Sequence, residues 1–144
     1  VERLRNTGII DYMTAKKTII GTSVVLALVV GALSAQAGKV PPAASKKGVT
    51  YAKDIKGILE SHKCFNCHGE EKQKGKLRLD SLEWVKKGAK GDPVGIVGKS
   101  GESTMVLSTS RVDEDEAMPP EGKGDPLTAA EIGLIRAWID QGMK

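Results

Sequence analysis

Cys64-Phe65-Asn66-Cys67-His68 reads C-x-x-C-H. On one helical turn these thiols and this imidazole stand at i, i+3 and i+4 and leave from a single face. Two thiols so placed can add to two vinyl groups on one edge of a porphyrin while the imidazole reaches the iron, and the spacing is the attachment pattern of a c-type haem. Three other chemistries use similar letters. A thiol–disulfide C-x-x-C wants a βαβ surround, whereas the flanking segments read as helical. A structural zinc site draws four ligands from split pairs; here the whole stock of two Cys and two His lies between His62 and His68. A Cys64–Cys67 disulfide would close a very short, strained loop. One covalently bound haem c is the expectation.

The N-terminus agrees with that chemistry. Arg3, Arg5, Lys16 and Lys17 precede an uncharged apolar run from Thr18 to Leu33, and Ala35-Gln36-Ala37 follows as a small-x-small cleavage site. That is the order of a secretory signal, and the run falls short of the ~20 apolar residues of a spanning helix. Residues 1–37 are expected to be a signal peptide, and the membrane becomes a partner only if the segment stays uncleaved as an anchor. Met13 would open a leader of more usual length. Export places the protein in the periplasm, where two thiols three apart oxidise unless something consumes them. Haem attachment consumes both.

Residues 38–49, with Pro41, Pro42 and Ser45, show no core pattern and read as a flexible tether. Residues 50–144 form one small domain. Aromatics make up 3% of the chain, so side chains alone build a thin core. A haem would supply the missing apolar body, and the haem-free chain is expected to be unfolded or molten. The formal net charge of +4 shrinks when the leader, with its four basic and two acidic residues, is removed. No Lys/Arg cluster interleaves with aromatics, which excludes nucleic acid as a partner.

Thr50 caps a helix from about Tyr51 to Ser61, striped by Tyr51, Ile55, Ile58 and Leu59. Gly57 within it either admits a neighbouring helix or is a tolerated surface glycine. Asp80 or Ser81 caps a short helix ending at Lys87, with Trp84 expected in the core and the haem edge as its alternative seat. Gly88 to Gly101 is a glycine-rich loop, and Glu102 to Thr109 forms helical turns that bury Met105, Val106 and Leu107. Asp113-Glu114-Asp115-Glu116 is a solvated loop or a docking patch for a basic redox partner. In Met118-Pro119-Pro120, Pro119 holds Met118 extended, and a stiff loop presenting a thioether suits the sixth position of a haem iron. The rivals are Met105, expected in the core, Met143, at a frayed end, and His62, too near His68 to reach the opposite ring face. Thr128-Ala129-Ala130-Glu131 reads as a capping box. Ile132, Ile135, Trp138 and Ile139 give the helix behind it an apolar face that stops at Gly142, with Trp138 packing on the first helix.

Taken together, residues from Thr50 to Gly142 resemble class I c-type cytochromes, and more narrowly the planctomycete-type cytochrome c domains. The residues that carry the resemblance are Asp54-Ile55 with Ile58-Leu59, the motif with Gly69, Gly75 to Asp80, Gly98-Lys99 with Glu102-Ser103, Met118-Pro119-Pro120 and Leu127-Thr128. Lys56-Gly57 departs from the pattern, where a basic residue and proline are usual, and the loop before Gly98 lacks its usual proline. The resemblance implies an all-α fold with N- and C-terminal helices crossing around the haem. It implies thioethers at Cys64 and Cys67 and axial ligands from His68 and Met118. Arg78 and Arg111 are candidate partners for the haem propionates. A six-coordinate iron leaves no open site for substrate, so the expected role is a monohaem electron carrier between redox partner proteins outside the cytoplasm, not an enzyme. A haem enzyme or ligand-binding module with an open distal position is the alternative.

Overall fold

In the computed structural model residues 39–144 are described, and the expected signal segment lies outside them. Four α-helices carry the domain: α1 (Lys56–Ser61), α2 (Leu82–Lys87), α3 (Thr104–Thr109) and α4 (Ala129–Asp140). Among the described residues there is no strand, only two isolated bridges. The fold is all-α.

Three helical segments start where a side chain satisfies free amides of the first turn. Thr50 Oγ1 accepts from the Lys53 N–H, and the Asp54 carboxylate accepts from the Thr50 N–H, at the head of a π-helical turn, Tyr51–Ile55, that runs straight into α1. Ser81 accepts from the Trp84 N–H at the start of α2. At α4, Thr128 Oγ1 accepts from the Glu131 N–H while the Glu131 carboxylate accepts from the Thr128 N–H, the reciprocal box expected of those residues.

The core sits where α4 crosses the Tyr51–Ile55 turn. Ile55, Leu59, Ile135, Trp138 and Ile139 are fully buried there. The Tyr51 and Trp138 rings lie 6.0 Å apart at 46°, and Trp138 Nε1 donates to the Lys144 carbonyl. Tyr51 Oη donates to the Leu79 carbonyl, tying the same contact to the extended piece after the motif. Burial raises the Tyr51 hydroxyl to about 12, with help from Asp80 and Glu60.

Four expectations are revised. Trp84 is half-buried outside the core, between the Arg78 guanidinium and the Lys87 ammonium at 4.8 and 4.3 Å from its ring centroid. Cations over its faces hold it at the surface. Met143 is buried at 2% exposure against Gly95, not frayed. Leu107 is only half-buried. Residues 39–49 do not hang free: Ala44 N–H donates to the Gly133 carbonyl at 2.8 Å, Arg136 Nη1 donates to the Pro41 carbonyl, and Gln141 Nε2 donates to the Lys46 carbonyl. Val40 and Ala44 rest on the core, so this strap is part of the domain. Of the two readings of Gly57, the open space around its Cβ position selects the surface glycine.

Candidate cofactor site

α1 ends at His62, and Lys63 in the left-handed region (φ 59°) turns the chain into the motif. Cys64–Asn66 is a 3-10 turn, and the Cys67 and His68 amides both donate to the Cys64 carbonyl, at 3.2 and 2.8 Å. That single turn gathers Cys64, Cys67 and His68 as their spacing requires. The loop behind it folds back to hold the motif from outside: Lys74 N–H donates to the Cys67 carbonyl and Leu79 N–H to the His68 carbonyl.

The three side chains open into an apolar cavity of about 830 Å³, counting the solvent at its mouth. Leu59, Leu77, Leu79, Val94 and Leu127 line it, and Met118 stands in the wall with Pro119 and Pro120. Met118 is held from α3 by its own N–H, which donates to the Ser108 carbonyl at 3.0 Å, and the Met118–Pro119 peptide is cis. Arg111 Nη1 donates to the Pro119 carbonyl at 3.1 Å. The stiff loop therefore has two anchors on its N-terminal side.

Electrostatics separate the motif's possible chemistries. Burial pushes the Cys64 thiol up to about 11, and neighbouring Cys67 adds to the rise. Reactive C-x-x-C thiols need the opposite, a lowered value that yields thiolate. Among the described residues no three His, Cys, Asp or Glu side chains converge as a metal site. His68 is lowered chiefly by burial, which favours the neutral, ligating imidazole. Its Nδ1 is buried near the Lys74 and Leu77 backbone yet meets no hydrogen-bond partner.

The other candidates separate as well. Met105 lines the same cavity, so it is not confined to the core, and His62 lines it too. Both His62 ring nitrogens are engaged, however, with the Asp125 carbonyl and the Glu131 carboxylate. No nitrogen of His62 is left to ligate. The two arginines expected beside haem propionates are occupied elsewhere and line no part of the cavity: Arg78 makes a two-pronged ion pair with Asp80 at 2.9 and 2.6 Å, and Arg111 supports the Pro119 carbonyl. Asp113 to Glu116 is exposed throughout, as a solvated loop and a docking patch both require. Sequence reasoning missed His62, Glu131 and Asp125 as a group, because nothing local joins residues more than sixty apart.

Thiols and imidazole from one turn, an apolar cavity before them and a thioether in its wall define a small, all-α, cytochrome c-like domain. The sequence profile of the family described as Planctomycete cytochrome C matches residues 64–122, from the first motif cysteine to just past the Met118 loop. Over that stretch, which is less than half of the chain, the sequence is similar to planctomycete-type cytochrome c domains, a family of c-type haem proteins that generally act as electron carriers. Comparison with curated proteins and with solved structures returned no match.

Proposed function

We propose that the domain holds one haem c and carries single electrons between protein partners outside the cytoplasm. The observation that carries this reading is the one apolar cavity lined by Cys64, Cys67, His68 and Met118 together. The residues fit the group: two thiols on one edge, a neutral buried imidazole with its Nδ1 unpartnered, and apolar walls. When bound, the haem supplies a one-electron iron couple.

The chain's own work is to fix, tune and shield. Cys64 and Cys67 hold the ring by thioethers. His68 offers its neutral imidazole from the motif side, and Met118 offers a thioether from the loop side. A His/Met pair raises the potential. Leu77, Leu79, Val94 and Leu127 keep water from the ring faces. The exposed lysines and acidic residues around the domain are left to meet redox partners. Export, argued from the N-terminal pattern, supplies the compartment in which such attachment occurs.

A visible spectrum of the purified protein in both redox states, with its intact mass, tests the proposal. Narrow low-spin bands in the reduced form, a mass increment of one haem and an Fe–S charge-transfer band in the oxidised form are expected. A colourless protein of unmodified mass defeats it. Met118 itself is 36% exposed, and this observation favours the second reading, a ligand-binding module with a displaceable distal position. Rapid carbon monoxide binding by the reduced protein would select that one.

A further inference from the structure

His62 is assigned no part in holding the cofactor, yet it sits where three segments meet. It closes α1 two residues before Cys64. Its side chain, 11% exposed, reaches across to the far end of the Met118 loop, where Nδ1 lies 2.7 Å from the Asp125 carbonyl oxygen and Nε2 lies 3.1 Å from Glu131 Oε1. Its own carbonyl is pressed by the loop as well: a Cβ at Gly124 would stand 2.7 Å from the His62 oxygen and 3.3 Å from Pro119 Cγ. Two approaches from the segment after Met118 and one from α4 thus converge on one residue beside the motif.

The donor count makes this junction special. A peptide carbonyl and an ionised carboxylate are acceptors only. A neutral imidazole has one N–H and can satisfy one of them; an imidazolium satisfies both. Glu131 stays ionised, because Oε2 already accepts from the Thr128 amide and hydroxyl, and these contacts outweigh its partial burial to keep its pKa low. The loop's first end is held by α3 and Arg111. Its second end is held here.

Resting on the assignment of Met118 to the distal position, we propose that His62, in its doubly donating form, is a positioning residue that clamps the 118–127 loop and so keeps Met118 over the cavity. The groups that face it are Glu131 from α4 and Asp125 from the loop; Lys63 and Lys123 stand on the rim of the same cavity. Burial disfavours the charged ring, but the Asp125 carbonyl, the Glu131 carboxylate and the Asp125 charge outweigh it, so the pKa lies above the ordinary 6.5. The clamp is therefore complete below the unfolded value and is lost as pH rises through the higher folded value.

The test uses the full-length, haem-loaded protein with His62→Gln and Glu131→Gln. Glutamine remains competent at the third position of a capping box, so E131Q removes the ion pair and spares the helix start. In wild type the Fe–S band should weaken with a one-proton midpoint above 6.5. In E131Q that midpoint should fall. In H62Q the step should vanish, and carbon monoxide should bind the reduced form about tenfold faster at low pH. A merely structural role would lower stability without moving the pH profile. If H62Q keeps the wild-type profile and carbon monoxide rate, the clamp is refuted while Met118 stands. If wild type shows no Fe–S band at any pH, the Met118 assignment falls first. Amide exchange over residues 119–127 then reads the clamp directly: lost protection in H62Q supports a loop clamp, and unchanged protection overturns it.

Discussion

Gly69 follows the motif histidine, and a Cβ placed there would meet the Phe65 carbonyl oxygen at 2.4 Å. Backbone, not a flexible side chain, is what it would strike, so the turn that gathers both thiols must open to admit it. Gly69→Ala should cost the loaded protein about 1–3 kcal/mol, the range for overpacking a tight site, and reduce the fraction carrying haem. Thermal melts and intact mass measure both, and a variant matching wild type on both would show the turn to be slack. Met118 raises a different question, because Met105 lines the same cavity. Met118→Ala should abolish the Fe–S band and lower the potential, whereas Met105→Ala should leave the band and lower stability. The reverse pattern would move the ligand to α3. The two arginines illustrate what residue-scale reasoning misses. A guanidinium can be assigned to a propionate from its presence alone, but Arg78 already has Asp80 on its fork and Trp84 beneath its plane.

Among the elements, α4 is the one most fully specified by local chemistry. Its box, its apolar face and its stop at Gly142 are all short-range rules, and each is present in the fold. Thr128→Ala should cost about 1 kcal/mol, as loss of an N-cap does, read from the midpoint of chemical denaturation. The strap over α4 follows other rules. Val40 and Ala44 are isolated apolar residues in a proline-rich segment, with no period to announce a buried face, so only the assembled helix reveals their seat. Gly133 is the key to that seat, since a Cβ there would lie 2.9 Å from the Pro42 carbonyl. Gly133→Ala should peel the strap from the helix. Faster proteolysis within residues 39–47, with α4 still helical, would be the sign of it, and an equally resistant strap would mean that the contact yields at no cost. The motif turn was legible because its ligands are sequential; the His62 junction was not, because its partners come from the other end of the chain.

At the scale of the whole molecule the issue is how much of the domain the cofactor holds up. The core has two parts. One, around Tyr51, Ile55, Ile135, Trp138 and Ile139, is closed by protein alone. The other is the cavity wall, where Leu59, Leu79, Val94, Met105 and Leu127 are counted in the core yet face the ring's space. Those five side chains line the cavity instead of closing it, so a haem bound there would add packing along its wall, and its removal would take that packing away. A domain this small has little surplus stability to absorb that loss. The two parts should therefore respond differently. Cys64→Ala/Cys67→Ala protein, which cannot form thioethers, should keep much of its far-ultraviolet helix signal from α4 and the first helix, yet lose near-ultraviolet structure, bind a hydrophobic dye and melt without a cooperative transition, the behaviour of a molten state. Trp138 would still report a partly buried indole, because its neighbours are protein. If the double variant instead melts cooperatively with wild-type near-ultraviolet signal, the cavity walls close on themselves, and the haem is a passenger in a fold that stands without it.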